Sequence, residues 1–172
     1  NITEEKSEPA ESPIGVIKEI GIFCEKAVWI KEQNNSFPTF ENSSRDNKRY
    51  PGMYPHRYAN GLSGAYLINE HFTDSNFLLR IYGPVVNPQV FIGEYPYLIY
   101  TILEQGEYLE INSRDQTVIK YLLSGYQANI YHSRAKRKSV FRKIPPGRQI
   151  VSWTGKFSLD IVLYEERSEP KW

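Results

Sequence analysis

The sequence predicts an all-β fold: an antiparallel sandwich or barrel preceded by an extended arm. Three observations lead there. From residue 62 onward, short apolar runs are separated by turn residues at regular spacing. Those runs are rich in β-branched and aromatic residues, drawn from a chain with 13 Tyr, 8 Phe and 3 Trp. No long stretch between them carries the 3.6-residue period of an amphipathic helix.

The organisation follows from composition. Residues 1–13 are rich in Glu, Ser and Pro without periodicity and read as a disordered tail or linker that cannot offset its ordering entropy. Residues 14–61 hold N-terminal strands and then a Tyr/Pro-rich arm. Val16, Ile17, Ile20, Ile22, Phe23, Val28, Trp29 and Ile30 favour strands, and Gly21 argues against a helix. Residues 33–61 then accumulate Asn34-Asn35-Ser36, Phe37-Pro38, Tyr50-Pro51-Gly52, Tyr54-Pro55 and Asn60-Gly61. That is too long for an idle connection, and its tyrosines Tyr50, Tyr54 and Tyr58 are candidates for pinning the arm to a partner.

Residues 62–172 form the sandwich domain. Phe77, Leu79 and Ile81 alternate with Leu78, Arg80 and Tyr82, and Gly83-Pro84 stops the run because proline cannot donate to a ladder. Asn87-Pro88 biases Asn87 toward extended geometry and redirects the chain. Residues 89–92 and 95–103 flank Gly93-Glu94, where glycine at the first central position suits a type II′ hairpin. Residues 97–103 are apolar on both faces, which predicts a central strand. Gly106, expected at positive φ, precedes a strand at 107–112 with Leu109 and Ile111 inward. Residues 113–116 form a polar turn before a strand at 117–123, which Ser124-Gly125 ends. Pro145-Pro146-Gly147 matches a type II turn. Strand 150–153 leads to a turn at Thr154-Gly155-Lys156. The last strand places Phe157, Leu159, Ile161 and Leu163 on one face and Ser158, Asp160, Val162 and Tyr164 on the other. A one-residue slip would expose four apolar side chains, each worth about 1.5–3 kcal/mol when fully buried, so its register is firmly specified.

Bulk properties narrow the function. Lys plus Arg number 21 and Asp plus Glu 20, so no global field selects nucleic acid or an acidic membrane. The single cysteine, Cys24, excludes an intramolecular disulfide and reads as a small buried hydrophobe. No apolar run approaches the ~20 residues that span a bilayer, and the first dozen residues are too polar for a signal peptide. The chain opens on Asn1 rather than Met, which leads us to expect a preceding part.

Ile81-Tyr82-Gly83-Pro84-Val85-Val86-Asn87-Pro88 resembles the YGP-x-x-NP signature of siphophage distal tail proteins. Further matches follow in order: the hairpin at 93–97; Gly106-Glu107-Tyr108-Leu109-Glu110-Ile111-Asn112-Ser113-Arg114; Thr117-Val118; Ser139-Val140-Phe141 with Ile144-Pro145-Pro146-Gly147; and Trp153-Thr154-Gly155-Lys156-Phe157. The ending Glu166-Arg167-Ser168-Glu169-Pro170-Lys171-Trp172 and the upstream stretch 50–58 are similar to elements of tail proteins from prophages of Gram-positive hosts. The resemblance covers residues 50–172. It implies a galectin-like, jelly-roll-like or carbohydrate-module-like β-sandwich projecting from a ring domain, which is absent or reduced in a chain this short. It implies a virion protein at the tail tip, in a hexameric ring, acting as a hub for the tail tube, the tail hub protein and receptor-binding proteins. The family positions Gly83, Pro84, Asn87, Pro88, Gly106, Pro145, Gly147, Trp153 and Gly155 are assigned structural roles. Asn112 stands where the family often has Asp, which argues against a charge-dependent role for that position in the turn.

A search for chemistry assigns no catalytic residue, no metal ligand and no cofactor. His56, His71 and His132 lack ligand spacing, and no nucleophile elbow, P-loop or dinucleotide fingerprint occurs. Glu104, Glu107 and Glu110 read as turn and solvent-face residues rather than a glycosidase pair. The sharpest charge feature is Arg134, Lys136, Arg137, Lys138, Arg142 and Lys143, with no acid among them. Arg134, Lys136, Arg137 and Lys138 are the candidate partner-binding residues. A solvated loop between strands is the first reading of this run; of the partners, an acidic protein or wall polymer is favoured over nucleic acid, because the whole-chain charge is only +1. A second reading is a carbohydrate-binding module engaging host wall glycans, with Tyr95, Tyr97, Tyr100, Tyr108, Tyr121, Tyr126, Tyr131 and Trp153 as stacking candidates by type.

Overall fold

The computed structural model describes residues 2–9, 16–22, 28–39 and 63–169. They form fourteen strands and one short 3₁₀ turn. The strands are β1 (Ile2–Pro9), β2 (Val16–Ile22), β3 (Trp29–Phe37), β4 (Ser63–Asn69), β5 (Asn76–Tyr82), β6 (Val85–Val86), β7 (Gln89–Ile92), β8 (Tyr95–Leu98), β9 (Ile102–Leu103), β10 (Tyr108–Asn112), β11 (Thr117–Tyr121), β12 (Gln127–Asn129), β13 (Gly147–Trp153) and β14 (Leu159–Arg167). The 3₁₀ turn is Tyr131–Ser133. The fold is all-β and antiparallel. The chain divides into two compact units, residues 1–29 with 166–172, and residues 30–165.

In the first unit β1 and β2 form an antiparallel pair in which Glu5 lies opposite Ile20 and Pro9 opposite Val16, with a register shift between Ile2 and Glu5. Composition alone reads residues 1–13 as a tail. A backbone ladder satisfies its own N–H and C=O groups without an apolar pattern, so Ile2–Pro9 is a strand despite its polar sequence.

The second unit is the sandwich. One sheet runs β12-β11-β10-β5-β14-β3, the other β4-β13-β7-β8, and a small ladder joins β6 to β9. Inward residues of both sheets make one core. Phe77, Leu79, Ile81, Leu109, Ile111, Leu159, Ile161 and Leu163 from the first sheet meet Leu67, Val90, Ile92, Tyr97, Val151 and Trp153 from the second. The period-2 alternation of β5, β10 and β14 therefore appears as expected, with Leu79 opposite both Ile111 and Ile161. The Trp153 indole N–H donates to the Phe157 carbonyl at 2.9 Å, and Phe37 meets the Trp153 ring edge-on at 5.7 Å.

The turns carry the expected backbone signs at several places. Gly93 has φ of 63° while Glu94 stays negative, the type II′ pattern between Ile92 and Tyr95. Gly106, Gly147 and Gly155 all have positive φ. Asn112 accepts from the N–H groups of Arg114 and Asp115 at 2.9 and 3.2 Å, so an uncharged amide closes that turn.

Three further expectations are corrected. Residues 95–103 are not one central strand: β8 ends at Leu98 on the margin of its sheet, Ile102–Leu103 pairs with Val85–Val86, and Tyr100 and Ile102 are exposed. Apolar residues on both faces here reflect a chain that leaves one sheet, bridges Arg134 at buried Ile99 and joins a second small ladder. Asn87 is left-handed, with φ of 49°, rather than extended. Its N–H donates to the Thr101 carbonyl at 2.7 Å, and asparagine tolerates that conformation. Residues 33–37, expected in the arm, complete β3, and Phe37 is buried. The rest of the arm from residue 40, and Cys24, lie outside the described residues.

Two polar residues lock the frame. The Asn69 amide uses its full capacity: it donates to the carbonyls of Ile144 and Pro145 at 2.9 and 3.2 Å, and accepts from the His71 N–H and the Ser75 hydroxyl at 3.1 and 3.0 Å. Glu107 accepts from the Glu104 N–H at 2.8 Å and pairs with Lys120 at 2.7 Å. The hydrogen bond from Glu104, then the one from Lys120, hold its carboxyl below the ordinary value of 4.5.

Gly83 donates its N–H to Glu107 at 2.9 Å, and a side chain there would collide with the Glu104 carbonyl. Gly83→Ala is expected to destabilise the fold by about 1–3 kcal/mol, read as a fall of several degrees in melting temperature. An unchanged melting curve would show that the backbone yields instead. Glu107 stabilises the fold above its ordinary pKa and loses that contribution as pH falls through its lower folded value. The stability gap between the native chain and Glu107→Gln should be widest at neutral pH and close on acidification below pH 4.5. A gap of constant size in urea titrations across that range would refute the assignment.

Candidate functional site

The basic run gathers along the margin of the four-stranded sheet. After β12, the Asn129 side chain accepts from the Tyr131 N–H at 3.0 Å and starts the 3₁₀ turn. The chain then runs antiparallel beside β8. The Tyr100 N–H donates to Ser133 at 2.8 Å, the Ala135 N–H donates to Leu98 at 3.1 Å, and Ile99 bridges Arg134. Residues 133–135 thereby cover the C-terminal end of β8 and the two residues that follow it.

Tyrosine hydroxyls and apolar side chains hold the next stretch. The Tyr95 hydroxyl donates to the Ser139 carbonyl at 3.0 Å, and the Tyr97 hydroxyl donates to the Arg142 carbonyl at 2.7 Å. Val140 and Ile144 are fully buried, and Ser75 and Ile144 exchange both backbone hydrogen bonds. Phe141 stacks on Tyr131 at 5.8 Å. Burial pushes the Tyr97 hydroxyl well above the usual tyrosine value, with the neighbouring Tyr95 adding to it, so it remains a neutral donor.

Between these anchors the cations are displayed. The Arg134 guanidinium lies 3.6 Å from the Tyr131 ring centroid and donates to the Tyr131 carbonyl at 2.7 Å. Arg142 and Lys138 lie 4.5 and 5.3 Å from the Tyr95 centroid. Among the described residues, none of Lys136, Arg137, Lys138, Arg142 and Lys143 forms an ion pair with an acidic side chain. Two depressions adjoin at Lys138. A cleft of about 480 Å³ is lined by Glu94, Tyr95, Lys138, Arg142, Lys143 and Gln149, among others. A groove of about 270 Å³ is lined by Pro96, Leu98, Tyr100, Lys136 and Arg137, among others.

The structure thus brings Lys136, Arg137 and Lys138 to one groove, whereas Arg134 packs on Tyr131 and lines neither depression. Tyr50, Tyr54 and Tyr58 lie outside the described residues. Gln149 and Glu94, which complete the cleft, went unmarked in the sequence. Gln149 comes to Gly93 only through the pairing of β13 with β7, where the Gly93 N–H donates to Ile150 at 2.8 Å.

The stacking candidates separate sharply. Tyr97 and Trp153 are in the core, whereas Tyr100 and Tyr126 are exposed. Tyr108 and Tyr121 stack on each other at 4.4 Å with their planes 8° apart, so each covers a face of the other. They share the outer face of the six-stranded sheet with Tyr82, which donates to Asp160 at 2.6 Å, and with the Arg80–Glu110 ion pair at 2.9 Å. Burial, then the hydrogen bond to Asp160, pushes Tyr82 up to about 12. Among the described residues no group of three or more His, Cys, Asp or Glu is placed to hold a metal ion.

No family model matches the chain, and no curated protein matches it. Among solved structures, the fold is similar to that of a chain in the phage P2 baseplate in its activated conformation with Ca. The TM-score is 0.54 at 15% identity, covering 98% of this chain and 64% of that one. The chain therefore spans less than two thirds of that protein's length, and at this identity the likeness is one of fold.

Proposed function

We propose that the chain is a structural component of a phage tail tip, a distal tail or baseplate protein that works by docking rather than turnover. The observation that carries this reading is the fold likeness to a baseplate chain over 98% of the residues. The ordered motifs from Tyr82-Gly83-Pro84 to Trp153-Thr154-Gly155 support it independently. The partners we assign are other tail proteins: the tube, the tail hub and receptor-binding proteins. A cyclic, hexameric ring in the virion multiplies a modest surface into avid attachment.

The groove beside β8 suits such docking. Exposed Tyr100 and the neighbouring Leu98 and Pro96 supply an apolar anchor, and Lys136 and Arg137 supply a basic rim. Rim charges mainly set the rate of encounter and its salt dependence.

Mass photometry and negative-stain imaging of the protein, alone and mixed with tail proteins encoded beside it, test the reading. Rings or a stoichiometric complex with one of those proteins is the expected result. Charge reversal at Lys136 and Arg137 should slow association about tenfold at low salt and much less at high salt. A protein that stays monomeric and binds neither tube nor hub protein would overturn the proposal.

A further inference from the structure

We propose that the cleft between the β7–β8 hairpin and residues 138–149 binds a phosphate ester carried on a polyhydroxylated chain, such as a sugar phosphate or a polyol phosphate. This goes beyond the assembly role and does not depend on it.

Size comes first. A volume of about 480 Å³ lies within the range of small-molecule sites and takes one or two sugar-phosphate units. Charge is the second argument. Lys138, Arg142 and Lys143 line one cleft and have no acidic partner among the described residues. The Tyr95 and Tyr97 hydroxyls hold the Ser139 and Arg142 carbonyls, and Val140 and Ile144 are buried, so the backbone from which these cations project is fixed before a ligand arrives. An anionic oxygen there gains charge-assisted hydrogen bonds from donors that lack any other strong acceptor.

The remaining lining selects among anions. Glu94 and the Gln149 side-chain oxygen, which lies close to Gly93, are acceptors at the same cleft. Acceptors do nothing for a phosphate, but they suit hydroxyl groups. A bare polyanion meets repulsion at Glu94, and a chain carrying both phosphate and hydroxyls meets complementary partners. Nucleic-acid bases lack an open ring to stack on, because Arg142 and Lys138 already lie over Tyr95. Strand addition of an acidic peptide to β8 is disfavoured, because Pro96 lacks an N–H and the Leu98 carbonyl already accepts from Ala135.

The test is titration of the full 172-residue chain with short poly(glycerol phosphate) oligomers and with glucose 1-phosphate, followed by calorimetry and by amide shifts. Glycerol, inorganic phosphate, polyglutamate and duplex DNA serve as comparison probes. Saturable binding of a polyol or sugar phosphate is expected, with shifts centred on Gly93, Tyr95 and Gln149. Lys138→Gln, Arg142→Gln and Lys143→Gln combined should weaken it at least tenfold, whereas Lys156→Gln in the distant turn should leave it unchanged. The two oligohydroxyl phosphates decide between sugar and polyol as carrier. No saturable binding, equal affinity for DNA or polyglutamate, equal affinity for inorganic phosphate, or full binding by the triple variant would each overturn the proposal. The shift map on the native chain stands as the deciding readout if the triple variant unfolds. Because the probes contain no tail protein, this result is separate from the outcome of the assembly experiment.

Discussion

The three-strand ladder of β10, β5 and β14 is the constraint on which the rest of the sandwich depends. Leu79 has Ile111 on one side and Ile161 on the other, and Ile81 has Leu109 and Leu159. All six side chains are buried in the common core. Because strand side chains alternate with a period of two, no member can slip by one position without turning its apolar row to water. Once that row is set, the outer face is set too, which places Arg80 beside Glu110 and Tyr82 beside Tyr108 and Asp160. The second sheet then packs its own inward residues onto a surface whose geometry is already decided.

The candidate site is a product of the same arrangement. The basic residues are not on a loose excursion. Arg142 and Lys143 lie between buried Val140 and Ile144, and Lys136, Arg137 and Lys138 lie between the Ala135 N–H bonded to Leu98 and the Ser139 carbonyl taken by the Tyr95 hydroxyl. Glu110 is engaged with Arg80 and Glu107 with Lys120, and Glu94, which shares the cleft, forms no ion pair with the basic run among the described residues. The hairpin at Gly93 and strand β13 bring acceptor groups to the opposite wall. Concentrated positive charge on a chain that is nearly neutral overall is therefore a local property of one sheet margin.

How far this was legible in the residues depends on what kind of signal each feature leaves. Alternation announced β5, β10 and β14, because a half-buried strand writes its burial directly into its sequence. Turn glycines announced Gly93, Gly106, Gly147 and Gly155, because their backbone signs exclude most side chains. The end of β8 was illegible: Tyr100 and Ile102 are apolar yet exposed, and local pattern cannot say which apolar residue faces water. Phe37 was hidden behind Asn34-Asn35-Ser36, which reads as a turn but lies on an edge strand with little to bury. The proline rule for Asn87 lost to a backbone hydrogen bond from across a loop. The positive half of the cleft was visible as a run of Lys and Arg, whereas Glu94 and Gln149 joined it only through strand pairing that no short window reports.

The covered margin of β8 has one more consequence. Exposed strand borders template runaway stacking of identical chains into fibrils. Here the Leu98 carbonyl at the end of that border is taken by the Ala135 N–H, and Pro96 has no N–H to offer a ladder. This side therefore offers a second chain little ladder to zip onto. Any assembly at this place is left to side-chain complementarity, which is reversible and can be proofread, rather than to open-ended polymer growth.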